Sequence, residues 1–212
     1  MDTLTHLPAA EDIAAEWDRR AARPGLTRVM RASQPTELAE ETTARTRGLV
    51  ADYLRAVAPA TALEIGCGMG RLTPTIAAHA RDVLAVDMTA RMVELARAAC
   101  ADLPHVRFLH AKVQDLPRHA PRFDVAVCVW VLMHVLDDAE LATACQAIAA
   151  ASRHLVLVEY EHAEIPVGKY SRLRQLDDYL AVLPGARLLE RRDLHYGGDR
   201  SFAALIALED AR

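Results

Sequence analysis

Residues Thr61 to Thr73 read TALEIGCGMGRLT. A short apolar run ends in glycines at alternate positions, Gly66, Gly68 and Gly70, and a helix-compatible stretch follows. The order is strand, tight loop, helix. A loop in that place offers backbone N–H groups to a ligand, and glycine lets the ligand approach the chain closely. The spacing excludes two nucleotide fingerprints. The dinucleotide pattern G-x-G-x-x-G needs glycine at position 71, where Arg71 stands, and the G-K-S/T ending of a phosphate loop is absent. Glu64, two residues ahead of Gly66, would repel a pyrophosphate and attract an ammonium. The loop is shaped for a nucleoside without a dinucleotide's phosphates, and Arg71 weighs against a nicotinamide-dependent oxidoreductase.

Working outward, strand-like runs occur at 61–66, 82–87, 106–111, 123–130 and 154–160. Helical patterns separate them at about 71–80, 89–103 and 137–151, and residues 112–121, with two prolines, are less regular. Strands apolar throughout and separated by helices imply a parallel sheet covered on both faces. The last two runs, 186–194 and 201–210, flank the turn-rich HYGGDR and are expected to pair antiparallel. An irregular stretch followed by a helix precedes them. Residues 10–57 carry helical spacing, broken by RPG at 23–25 and ended by Pro59. The expected organisation is a helical cover over 1–57 and one compact core over 58–212.

Composition narrows the class of partner. The chain has 212 residues, 52% of them hydrophobic, which is enough for a full core. A net charge of −4 and an aromatic content of 5% argue against nucleic acid, which needs a basic face or stacking platforms. Cys67, Cys100, Cys128 and Cys145 form no C-x-x-C pair and sit in apolar segments, so buried thiols are expected, with no metal site. The longest apolar run, Val125 to Met133, is too short to span a membrane. No basic segment leads into an apolar run near residue 1, so no secretion signal and a cytoplasmic location are expected.

Asp87 ends the second strand, 21 residues after Gly66. An acid at that distance can accept both hydroxyls of a ribose; it can equally cap the helix that follows. LEIGCGMGRLT, VLAVDMTARMVELAR and FDVAVCVWVLMHVLDD together resemble the class I S-adenosylmethionine-dependent methyltransferases of the small-molecule type, over about residues 45 to 160. The resemblance implies a Rossmann-like three-layer α/β sandwich, with a seven-stranded, mostly parallel sheet and an antiparallel last pair. It implies S-adenosyl-L-methionine as cofactor. It places Glu64, Gly66, Cys67, Gly68 and Gly70 against the methionine and ribose parts, Asp87 on the ribose hydroxyls, Met88 on adenine and Val129 beneath the cofactor. Lys112 stands where the family has an acid for the adenine amino group. The backbone of Val113 and the side chain of Gln114 are the substitutes expected.

The reaction so implied is methyl transfer to O or N of a small metabolite. A hydroxyl acceptor benefits from a base, and His134, after the fourth strand, is the candidate; it can also simply pack the next helix. Trp130 is either pocket wall or core. Glu159, Tyr160, Glu161, His162 and Glu164 cluster past the fifth strand. They are either a solvated face or the mouth of a pocket for an amine-bearing acceptor. Alternation puts Glu159 and Glu161 on one face. Tyr170, Tyr179 and His195–Tyr196 are lid candidates by position, and Trp17 with Arg28 or Arg31 can reach in from the cover. The competing readings are a non-catalytic binding module, which Lys112 favours, and an RNA or protein methyltransferase, which the short cover disfavours.

Overall fold

A computed structural model describes residues 7–30, 34–116, 122–164, 166–196 and 198–209. Five strands run in parallel: β1 (Thr61–Ile65), β2 (Asp82–Asp87), β3 (Val106–His110), β4 (Val125–Val129) and β5 (His154–His162). β6 (Ala186–Tyr196) and β7 (Asp199–Leu208) complete a seven-stranded sheet in the order β3-β2-β1-β4-β5-β7-β6. β7 runs antiparallel to both of its neighbours. β4 is buried at every residue, as a strand covered on both faces must be. The edges differ. β6 alternates exposed charges and carries a bulge between Leu188 and Glu190, two devices that blunt an open edge. The expected link at 195–200 is shorter than its turn-rich composition implied, because β6 and β7 extend through it and only residues 197–198 remain between them.

Helices cover both faces. α2 (Thr36–Val57), α3 (Thr73–Ala77) and α4 (Ala90–Ala99) belong to one side. There Val50, Tyr53, Leu54, Ile76 and Ala96 meet Ala62, Val83, Val127, Val156 and Val158. α5 (Asp138–Ala151) and α6 (Leu176–Val182) pack the other, with Ile148 and Tyr179 against Leu63, Ile65, Leu155 and Leu157. α1 (Ala10–Ala21) precedes them. Strand parity thus assigns each side chain of β5 to a face: Leu155 and Leu157 to α5–α6, Val156 and Val158 to α2.

Two local signals find physical reasons. Asp124, the acid of the Phe-Asp strand, accepts the N–H groups of Ala60 and Thr61 at 2.8 and 2.9 Å and so ties the start of β4 to that of β1. α2 ends at Ala58, which is left-handed at φ 49°, one residue ahead of the proline expected to stop it. A side chain in that conformation is strained and glycine is not. Ala58→Gly is therefore expected to raise stability by about 0.5 kcal/mol in chemical denaturation, after allowing for glycine's freer unfolded chain.

Candidate active site

The sheet order reverses between β1 and β4, whose outward neighbours are β2 and β5. Ligands of open α/β sheets bind at the C-terminal strand ends beside that point. The glycine loop lies there. Gly66, at φ 68°, has no room for a β-carbon, which would lie 2.3 Å from the Val131 side chain. The Cys67 N–H donates to the Val86 carbonyl at 2.9 Å, and the Gly68 N–H donates to Asp87 Oδ2 at 2.8 Å. Asp87 Oδ1 accepts from the Thr89 N–H at 2.9 Å. The carboxylate is 9% exposed, and burial raises its pKa against those two donors. It holds the loop and the N-cap residue of α4, Thr89, to the end of β2 without itself capping that helix, and each oxygen keeps a lone pair for a further donor.

A cavity of about 130 Å³ opens over this loop. Glu64, Gly66, Cys67, Gly68 and Arg71 line it, with Asp87, Met88, Lys112, Val113, Gln114, Val129 and Trp130; Ile13 and Trp17 of α1 contribute to its wall. Glu64 Oε2 accepts from Thr73 Oγ1 at 2.6 Å. Burial pushes the Glu64 carboxyl up to about 8; Thr73 and the Arg71 charge pull it down, and Asp87 pushes it further up. The Arg71 guanidinium lies 5.1 Å over the Trp130 ring, and its Nη1 is buried with no hydrogen-bond partner among the described residues. Burial draws Arg71 down to about 10 against the pull of Glu64.

A second cavity, of about 490 Å³, adjoins the first. Trp17, Val29, Trp130 and His134 line both. His134 Nδ1 lies 2.8 Å from the Tyr170 carbonyl oxygen, which can only accept, so Nδ1 carries the proton and Nε2 the lone pair. Burial lowers the ring's pKa to about 4; the Tyr170 hydrogen bond opposes this and the Arg20 charge adds to it. The ring is therefore neutral at physiological pH. Trp17 meets it edge-on at 4.8 Å. Trp130 holds a left-handed backbone at φ 55°, a conformation that costs about 1 kcal/mol in a bulky residue. Its ring stacks on Tyr160 at 5.2 Å and meets Tyr196 edge-on at 5.9 Å.

Residues 62–154 match the family model of a methyltransferase domain. Over that stretch the chain is similar to methyltransferases. A ubiquinone biosynthesis O-methyltransferase of Acinetobacter baylyi is 29% identical over 96 residues, which cover 44% of this chain and 40% of that protein. The chain thus aligns with well under half the length of that relative. Among solved structures, the N-methyltransferase NodS of Bradyrhizobium japonicum in complex with S-adenosylhomocysteine superposes with a TM-score of 0.72 at 19% identity, covering 93% of this chain and 99% of that one. Magnesium protoporphyrin IX methyltransferase of Synechocystis with bound S-adenosylhomocysteine gives 0.71 at 17% identity, covering 92% and 94%. At those identities the likeness is one of fold.

Within this methyltransferase domain, nine of the ten expected cofactor residues converge on the smaller cavity. Gly70 does not, and the expectation is corrected. Its φ is 83°, and a β-carbon there would lie 3.2 Å from Ala96 Cα and from Cys100 Sγ, so this glycine lets the loop pack on α4. Arg71, read from sequence only as a missing glycine, is among the cavity residues that reading overlooked.

The residues expected to bind the acceptor need more correction. Trp130 and Tyr160 line the larger cavity, but Glu159, Glu161 and His162 do not. Glu159 and Glu161 do share a face, and it is the face of α5 and α6, away from the cavity. Glu159 is fully buried, and its Oε1 accepts the N–H groups of Val131 and Leu132 at 2.9 and 2.7 Å. It ties the turn after β4 to β5. Glu161, 6% exposed, meets Arg191 at 2.9 Å. His162 follows a register shift in β5 and is exposed. Tyr179 is core, Arg28 Nε donates to the Ala21 carbonyl, and Arg31 lies outside the described residues. Tyr170 and Tyr196 do line the larger cavity.

Burial lifts Glu159 to about 8, its backbone donors pulling the other way. A raised carboxyl pKa stabilises the fold below the unfolded value near 4.3 and loses that contribution as pH rises through about 8. Chemical denaturation between pH 6 and 9 should show wild type weakening relative to Glu159→Gln. Glu159→Ala, which orphans the turn's N–H groups, should cost about 2 kcal/mol near pH 6, and less toward pH 9 as wild type loses the protonated carboxyl's contribution.

Proposed function

We propose that this protein transfers a methyl group from S-adenosylmethionine to O or N of a small molecule in the cytoplasm. The observation that carries the reading is the pair of adjoining cavities: one built on the glycine loop and Asp87, the other larger, with His134 and Trp130 in the wall they share. The residues of the smaller cavity fit the cofactor's parts. Asp87 keeps lone pairs for two ribose hydroxyls. Met88, Val113 and Gln114 surround the adenine position, with Lys112 beside them. Glu64 answers the methionine ammonium, whose charge would draw its carboxyl back toward ionisation, and the unpartnered Nη1 of Arg71 answers the methionine carboxylate.

When bound, S-adenosylmethionine supplies an electrophilic methyl carbon on a good, neutral leaving group. The protein's task is alignment and exclusion of water. Trp17, Trp130 and Tyr160 wall the acceptor side with apolar rings. His134 Nε2 is a neutral acceptor at the junction, able to take the proton of a hydroxyl nucleophile as it reacts.

Labelled S-adenosylmethionine, screened against phenols, carboxylic acids and amines with the full chain, tests this reading. Label is expected in a small-molecule product. Label found only in RNA or protein, or in no product while the cofactor binds, would contradict it.

A further inference from the structure

The larger cavity is lined by one guanidinium, Arg20, and by two carboxylates, Glu16 and Asp199, that other groups of the protein engage. Arg20, near the end of α1, lines it. Its guanidinium lies 4.3 Å over the Trp17 ring, and Nη2 donates to the Met30 carbonyl at 2.7 Å. Its Nε is buried with no hydrogen-bond partner among the described residues. Glu16, one turn back on the same helix, is engaged by Arg19 at 2.7 Å and Arg23 at 3.6 Å. Burial pulls the Arg20 pKa down, with the Arg23 charge adding to this and Glu16 opposing it.

A second donor shares this condition. Trp130 Nε1 is also buried with no partner. Among the described residues lining this cavity, Arg20 and Trp130 carry the buried side-chain polar atoms left unanswered, and both atoms are donors. A buried donor without an acceptor costs about 1–3 kcal/mol, more when charged, and a ligand that supplies the acceptor recovers it. An ammonium brought beside Arg20 would add like-charge repulsion instead. Of the cavity's two carboxylates, Glu16 is held by Arg19 and Arg23, and Asp199 Oδ1 accepts the Glu164 N–H at 3.1 Å.

We propose that the methyl acceptor is an anionic molecule, with a carboxylate seated on Arg20 and a flat apolar body among Trp17, Trp130 and Tyr160. This rests on the methyltransferase reading of the site and names the class of acceptor within it. The anchored charge lies on the acceptor side, since Arg20 does not line the cofactor cavity. The reacting atom lies beside His134, which lines both.

The test is calorimetry on the full chain saturated with S-adenosylhomocysteine. The probes are 3-hydroxybenzoate, 4-hydroxycinnamate and indole-3-acetate, each beside its primary amide and the matching amine. At least one carboxylate should bind about 10-fold more tightly than its amide and its amine, as a charge-assisted, largely desolvated contact does. Arg20→Gln should reduce that preference below about 3-fold, and Arg20→Lys should retain most of it. The proposal is overturned if amides or amines match every carboxylate, if no carboxylate binds, or if Arg20→Gln keeps the preference. S-adenosylhomocysteine binding is measured first on each protein. Its loss in wild type sinks the methyltransferase reading and this proposal together; its presence in Arg20→Gln shows that variant to be folded.

Discussion

Asp87→Ala is expected to weaken S-adenosylhomocysteine binding by about 100-fold, about 2.7 kcal/mol. Two effects combine. The ribose hydroxyls lose a charged acceptor, and the Gly68 and Thr89 N–H groups lose theirs, which loosens the loop over the cavity. Asp87→Asn should be nearly as damaging. One carboxylate oxygen faces the Gly68 N–H and the other the Thr89 N–H, so an amide must set its NH₂ against one of two donors. Calorimetry with the 2′-deoxy analogue separates the effects. Wild type should lose affinity for the deoxy compound, and Asp87→Ala should lose little more, because the shared contact is already gone. Equal discrimination against the deoxy compound in both proteins would remove Asp87 from the ribose.

The second large effect concerns His134. With a hydroxyl acceptor, His134→Ala should lower kcat by about 100-fold or more, the scale of a positioned base, and change S-adenosylhomocysteine affinity by less than about 3-fold. With an amine acceptor the loss should be small, since a neutral amine attacks without surrendering its proton first. The pH profile carries the same distinction. With a pKa near 4 the ring is already unprotonated at pH 5, so turnover of a hydroxyl acceptor should be flat through neutrality and fall only as pH drops toward 4. Turnover of an amine should instead track the amine's own titration. Stability responds too. The unfolded ring takes a proton near pH 6.5 and the folded ring does not until about 4, so burying it neutral favours the fold above 6.5 and that advantage is lost as pH falls toward 4.

How much of this was legible in the sequence differs sharply between the two cavities. The smaller cavity reads well because its parts are local. A loop at the end of β1 and an acid at the end of β2 must meet when the two strands are parallel neighbours, and their order along the chain announces that they are. The larger cavity is non-local. Alternation correctly puts Glu159 and Glu161 on one face of β5, but which face opens to the cavity depends on α5 and α6 filling one side while α1 and α2 leave space on the other. No short stretch encodes that choice. Arg20 was invisible for the same reason: on α1 it is one of two adjacent arginines, and only packing against Trp17 near His134 distinguishes it. Gly70 shows the converse error. It sits in the right motif, yet its missing side chain serves contact with α4, while Arg71 beside it faces the cavity.

One titration tests the central claim most directly: S-adenosylhomocysteine into the purified full chain by isothermal calorimetry. A single site per chain with a dissociation constant in the micromolar range, about −8 kcal/mol, is the predicted result. No binding at millimolar ligand, or binding undiminished in Asp87→Ala, would contradict it.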